Sequence, residues 1–233
     1  MSNGIGTLSE NPLHAALKEH YRRDGDRVEE KVGRYVVDIV REDELLEIQT
    51  KNFSAIRSKL KGLLKHNAVR LVYPIALERW ILKIGDDGEC TRRKSPKRGA
   101  PEDLFVELVS FPELIHEPRF VIELCFTREE QVRVHDPNGP WRRRGWRIIE
   151  QRLSEVVDSM VIESMHDLIG LLPAALEAPF ASHDVARAFG RSLGFAQRVC
   201  YCLARGGAVR QIGVRDRARL YEYEPRYAPS KEP

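Results

Sequence analysis

Along the first ninety residues the apolar positions change period several times, and each change marks an element. Leu13, Ala16, Leu17 and Tyr21 recur at helical spacing behind Asn11-Pro12, so residues 11–23 read as a helix. Asp24-Gly25-Asp26 ends it, and residues 28–33, 35–41 and 45–50 read as three strands. Asn52 or Ser54 opens a second helix, with Ile56, Leu60, Leu63 and Leu64 on one side and Arg57, Lys59, Lys61 and Lys65 on the other. Residues 68–76 then form a buried strand and 78–84 another. Helix, three strands, helix, strand is the order of an α/β domain whose mixed sheet is flanked by helices.

The pattern continues with a helix over 102–118, carrying Leu104, Phe105, Leu108 and Val109, and strands at 120–126 and 131–135. Residues 148–165 place Ile149, Leu153, Val156, Val157 and Met160 at the spacing of a helix core face. From about Asp167 short helices take over, at 167–172, 182–189 and 193–204, followed by strands at 208–212 and 219–223. The chain thus divides into an N-terminal domain (11–90), a basic loop and α+β middle region (91–165) and a C-terminal domain (166–225). Flexible tails are expected at 1–10 and 226–233.

The densest chemistry lies in residues 35–51. Side chains alternate along a strand, so Glu47, Gln49 and Lys51 leave one face, and a tight turn at 42–44 brings Asp38 beside them. Two carboxylates beside an amide and an ammonium suit a hard divalent cation, whose bound water can be activated to attack a phosphodiester. The plainer reading is an exposed acid on a strand of an ordinary α/β domain.

A helix bearing Glu19, a strand holding Val37-Asp38-Ile39, a turn, and Leu45-Leu46-Glu47-Ile48-Gln49-Thr50-Lys51 before a second helix resembles the PD-(D/E)xK nuclease superfamily, especially its Holliday-junction-resolvase-like branch. The resemblance spans residues 13–84 and implies a restriction-endonuclease-like fold. It implies that Asp38 and Glu47 bind Mg²⁺ or Mn²⁺, and that Glu19 adds an outer ligand or base. Gln49 stands where the family usually has lysine. Some restriction-type members use Glu-x-Gln and remain active, whereas others in the superfamily have lost catalysis and keep nucleic-acid binding. On this pattern Gln49 orients a water, and Lys51 or Lys59 supplies the missing charge.

The order of helices and hairpin over residues 167–224 resembles a winged helix-turn-helix domain. The resemblance implies that Arg191, Ser192, Gln197 and Arg198 lie on or near a recognition helix and Arg215, Arg217 and Arg219 on the wing, facing DNA. Phe195, Val199 and Leu203 are then core. The alternative is a winged helix used for protein contacts.

Composition adds bounds. With 233 residues, 42% hydrophobic and a net charge of +3, the chain can bury a sizeable core, and its overall charge says little about partners. Local charge says more. Arg92, Arg93, Lys94, Lys97 and Arg98 form a basic run between Cys90 and Pro101, either a solvated linker or a phosphate-contacting loop. In residues 141–147 tryptophans interleave with arginines; Trp146 reads as core, and Trp141 is left open. Cys90, Cys125, Cys200 and Cys202 form no CxxC pair and read as reduced thiols, and the seven histidines show no zinc spacing. No phosphate loop, GxSxG elbow or dinucleotide fingerprint occurs. No leader or membrane-length apolar run is evident, so a cytoplasmic protein without membrane contact is expected. The leading expectation is a metal-dependent endonuclease acting on duplex or branched DNA, with a homodimer implied by the resolvase resemblance. The alternatives are a nuclease fold that only binds DNA, as regulator or scaffold, and a winged-helix protein-interaction factor.

Overall fold

A computed structural model of the chain describes residues 11–85, 87–138, 141, 144–174 and 176–228. Helix α1 (Pro12–Tyr21) starts where Asn11 accepts the Leu13 N–H at 3.1 Å, with Pro12 in the first turn, where a missing N–H costs nothing. β1 (Arg27–Val32), β2 (Tyr35–Val40) and β3 (Leu45–Ile48) follow as an antiparallel meander, and the Arg41 N–H meets the Glu44 carbonyl in the tight turn between β2 and β3. α2 (Arg57–Leu63) crosses over to β4 (Val69–Ile84), which runs parallel to β3.

β4 is the spine of the sheet. Its first residues pair with β3 and its last with the antiparallel β5 (Cys90–Lys94). On its other edge it pairs along its whole length with the parallel β6 (Phe120–His135), which in turn pairs with the antiparallel β7 (Trp146–Ile162). The strand order is β1-β2-β3-β4-β6-β7, with β5 beside β4, so the expected α/β class with a mixed, helix-flanked sheet holds. α1 packs Leu13 and Leu17 on Ile39, Leu46, Ile48, Val72 and Cys125. The larger core, with Leu60, Leu71, Phe53, Phe105 and Phe111, includes α2 and α3 (Leu104–Leu108).

The main departure is β7, a strand where the spacing predicts a helix over 148–165. Its register with β6 skips Ile149, Ser154 and Val157, three bulges. Each extra residue reverses the side-chain parity, so an alternating pattern breaks into threes and fours and imitates a helix. Two of the supposed core positions, Ile149 and Val157, are bulge residues and are 51% and 40% exposed. The predicted strands 68–76 and 78–84 are one strand, continuous through a bulge at Leu77, and 120–126 and 131–135 merge into β6. The basic run is no detached loop, because Cys90–Lys94 is ladder-paired strand. Beyond it Gly99 approaches β4 so closely that a Cβ would sit 2.7 Å from Ile75 and 2.9 Å from the Ala76 carbonyl oxygen. The helix expected over 102–118 is split, because α3 ends ahead of Phe111-Pro112 and a 3-10 turn (Pro112–His116) takes over.

The C-terminal unit runs α4 (Met165–Gly170), β8 (Phe180–Ala181), α5 (Ser182–Phe189), α6 (Leu193–Arg205), β9 (Val209–Arg215) and β10 (Ala218–Tyr223), with a small sheet ordered β8-β10-β9. Gly190 ends α5 at φ 61°, and the Ser192 hydroxyl caps α6 by accepting the Phe195 N–H at 3.3 Å. The unit shares its core with the rest: the Cys202 thiol reaches the Phe105 carbonyl, and His116 Nε2 lies 2.6 Å from the Gly206 carbonyl oxygen. Residues 1–10 and 229–233 of the expected tails lie outside the described residues; Tyr227, in the remainder, is buried and packs on His166. Among the described residues no helix is long and apolar enough to cross a membrane.

Candidate functional site

The antiparallel register of β2 and β3 pairs Ile39 with Leu46 and Val40 with Leu45, and carried one step further it sets Asp38 against Glu47. The ladder stops there. Asp38 Oδ2 accepts the Ile48 N–H at 2.8 Å, and β3 turns its other edge to β4, pairing Glu47 with Leu71. The two acids therefore face each other where the strands part. His14 of α1 contacts Asp38, with Nε2 3.2 Å from Oδ2, and Lys59 of α2 contacts Glu47, with Nζ 2.5 Å from Oε1.

This placement splits the two acidities. Burial drives the Glu47 carboxyl up to about 7, and the adjacent Asp38 charge adds to the effect against the pull of Lys59. Burial pushes Asp38 up too, but the His14 hydrogen bond and charge, the Ile48 N–H and the Lys59 charge outweigh it and hold the carboxyl below its ordinary value. At neutral pH the pair keeps one firm negative charge and shares a second with solvent protons.

Does the donor set suit a divalent ion? Among the described residues no three His, Cys, Asp or Glu side chains converge into an all-protein cage. A magnesium-type ion needs none, since it binds through one or two carboxylates and keeps its waters. Glu47 Oε1 is also buried, with the Lys59 ammonium 2.5 Å away as its close charged neighbour. Asp38 and Glu47 thus fit such an ion, with Lys59 the group that must swing aside.

The other expected site residues stand apart. The Gln49 amide donates to the Lys51 carbonyl at 2.5 Å and the Asn52 carbonyl at 3.2 Å, closing the turn after β3. Lys51 is exposed and makes no ion pair among the described residues. Glu19 is exposed on α1 and pairs only loosely with Arg22, at 3.7 Å. The residues that complete the site are His14, which the sequence reading set aside with the scattered histidines, and Lys59, whose signal was its place on the basic face of the second helix.

The expected DNA contacts divide as sharply. Arg191 is tied to Asp103 at 2.5 Å and Glu102 at 3.5 Å and lies over the Phe195 ring, so it clamps the C-terminal unit to the α3 entry. Ser192 is a helix cap, and Arg215 pairs with Asp184. Gln197 and Arg198 lie on the exposed side of α6, and Arg217 and Arg219 are exposed on the hairpin. A groove of about 580 Å³ runs between α6 and the hairpin, lined by Gln197, Tyr201, Arg205, Arg217, Arg219 and His183. Tyr201 and Arg205 were missed, yet Gln197, Tyr201 and Arg205 recur every four residues, as one stripe of a helix must. In the basic run, Arg92 pairs with Glu130 and stacks on Trp80, and Lys94 pairs with Glu78. Arg93 and Arg98 are exposed, and Lys97 edges a cleft of about 230 Å³ with Thr50, Tyr73 and Arg79.

A family described as "Domain of unknown function (DUF8091)" matches residues 11–163, from α1 to the end of β7. An uncharacterized protein of Treponema pallidum (strain Nichols) is 30% identical over 224 residues, covering 95% of this chain and 88% of the relative. No solved structure matches.

Proposed function

We propose that this chain, which belongs to the DUF8091 domain family, is a DNA-binding protein with a PD-(D/E)xK-like endonuclease site at Asp38 and Glu47. The supporting observation is the opposed, acidity-split carboxylate pair at the parting of β2 and β3, set in a helix, three-strand, helix, parallel-strand unit. Asp38 and Glu47 would hold Mg²⁺ or Mn²⁺, which polarises a phosphodiester and lowers the pKa of a bound water. Asp38 stays ionised through His14 and the Ile48 N–H. Lys59, arriving from α2, supplies the cation that Gln49 does not. The C-terminal unit, similar to a winged helix-turn-helix, would present Gln197, Arg198, Tyr201 and Arg205 of α6 and Arg217 and Arg219 of the hairpin to duplex or branched DNA.

A second reading has its own observation. The Gln49 amide is spent on its own turn and Lys59 already occupies Glu47, which favours a nuclease fold retained for binding alone. The deciding experiment incubates linear, nicked, single-stranded and branched DNA with the purified chain in Mg²⁺, Mn²⁺ or EDTA, beside Glu47→Ala. Metal-dependent cutting lost in the variant supports the enzyme, whereas binding without cutting in any metal supports the second reading.

A further inference from the structure

The groove between α6 and the hairpin separates two kinds of arginine in the C-terminal unit. Arg187, Arg191, Arg210 and Arg215 each meet an acid: Asp184, Asp103, Glu222 and Asp184 in turn. Arg205, Arg217 and Arg219 line the groove, are exposed and form no ion pair among the described residues. Asp216 is the one acid among the groove's described lining residues. Three guanidinium groups against one carboxylate leave this space cationic and suited to an anionic ligand.

Local structure sets an aromatic ring among these charges. Gln197, Tyr201 and Arg205 follow one another at four-residue steps along α6, and Arg219 and Tyr221 leave the same face of β10. Tyr221 is buried and packs on Phe180, whereas Tyr201 is 46% exposed and has no ring, cation or hydrogen-bond partner among the described residues. Asp216 and Arg217 form the two-residue turn between β9 and β10 with φ of 51° and 64°, both in the left-handed region. Glycine is the usual second residue of such a turn, because a Cβ is strained there. An arginine kept there against that preference gains a place on the groove, and strain of this kind is characteristic of binding sites.

We infer that this groove takes an unpaired stretch of DNA, with a base stacked on the Tyr201 ring and the neighbouring phosphates held by Arg205, Arg217 and Arg219. A duplex keeps its bases stacked on one another and shows a protein only their edges, so a free ring face has nothing there to stack on. An unpaired strand offers those faces, and aromatic rings set among cations bind it with little sequence preference. The volume of about 580 Å³ is that of a small-ligand site, with room for about one or two nucleotides and none for a duplex. The inference rests on the reading of the chain as a DNA-binding protein and narrows its substrate to DNA with an unpaired segment, as at a branch point or an end. It needs no metal.

The test is binding of a labelled oligothymidylate and of a blunt duplex of the same length by the full chain, in EDTA across a salt series. The single strand should bind at least about tenfold more tightly than the duplex. Tyr201→Ala should weaken single-strand binding by roughly 5- to 100-fold with the salt slope unchanged, and Tyr201→Phe by less than about threefold, since stacking is lost and charge is not. Arg205→Gln/Arg219→Gln should flatten the log–log salt slope by roughly 1.4, at about 0.7 for each phosphate contact with a single strand. Arg187→Gln/Arg210→Gln, which removes the same charge outside the groove, should flatten it by less than about 0.5. Arg217→Gly should flatten it by roughly 0.7 without lowering the urea midpoint, because glycine fits the turn. Duplex bound as tightly as the single strand, Tyr201→Ala without effect, or equal slope losses for the two arginine pairs overturns the inference and leaves the DNA-binding reading standing. No binding of either DNA overturns both. Cutting in Mg²⁺ is scored separately, so a chain that binds the single strand through Tyr201 but never cuts loses the nuclease reading alone.

Discussion

The near and far halves of the sheet use charge in opposite ways. In the near half every residue of β3 is buried, and a carboxylate pair placed there is driven apart in acidity by desolvation and by two chosen partners. In the far half β5 is exposed along its length, and its cations pair with acids of the neighbouring strands, Arg92 with Glu130 and Lys94 with Glu78. Burial turns charge into chemistry, whereas exposure leaves it as a field that a polyanion can feel.

Separating these two uses gives the largest expected effect. If the proposed site is right, Asp38→Ala should lower Mg²⁺-dependent cleavage at least about a thousandfold while leaving duplex affinity in EDTA within about twofold, because on that proposal it removes an ion ligand and no phosphate contact. Cleavage left intact in Asp38→Ala takes that residue out of the site. Packing comes next. Leu46→Ala, beneath α1, should cost about 2–5 kcal/mol in urea unfolding, whereas Arg92→Gln in the far half should cost about 1 kcal/mol, since it breaks a surface ion pair with Glu130 and the stacking on Trp80.

The third effect is pH-dependent. The folded Glu47 carboxyl titrates at about 7 against an ordinary 4.5, so the folded chain holds this proton more tightly than the unfolded one. Its contribution is full below pH 4.5 and is lost as pH rises through about 7. Glu47→Gln cannot titrate and should therefore gain stability on the unaltered chain between pH 5 and pH 8, on the order of 1–3 kcal/mol. Asp38 has the opposite sign, its contribution present above the ordinary value of 3.8 and lost as pH falls below it. A gap between Glu47→Gln and the unaltered chain that stays flat from pH 5 to pH 8 refutes the raised acidity.

The near half was legible because its elements are short and regular: Asn11-Pro12 opens a helix, three strands follow, and the turn at 42–44 fixes which residues oppose. That was enough to bring Asp38 to Glu47. It was not enough to find His14, because which helical residue reaches the pair depends on how α1 lies across the sheet, a tertiary choice with no local signal. Nor could it place Gln49, whose parity is right but whose amide is claimed by the Asn52 turn. The C-terminal helices and hairpin were readable from caps and glycine, yet the diversion of Arg191 to Glu102 and Asp103 needed contacts some ninety residues away. In the far half the reading failed for a different reason, the bulges of β7.

The smallest effect tests that reason. If residues 148–165 formed the helix their spacing suggests, Val156 and Val157 would both pack, and a polar substitution at either would be costly. In the bulged strand they differ: Val156 opposes Thr127 and packs against the α1 cluster, whereas Val157 is the extra residue and is exposed. Val156→Thr should cost about 1–2 kcal/mol, since the hydroxyl replaces a packed methyl, and Val157→Thr less than about 0.5 kcal/mol, as for a surface position. Equal costs would mean that Val157 is part of the packed surface and that the loss of alternation has another origin. Unequal costs in this order would tie the misread period of β7 to its inserted residues, one bulge at a time.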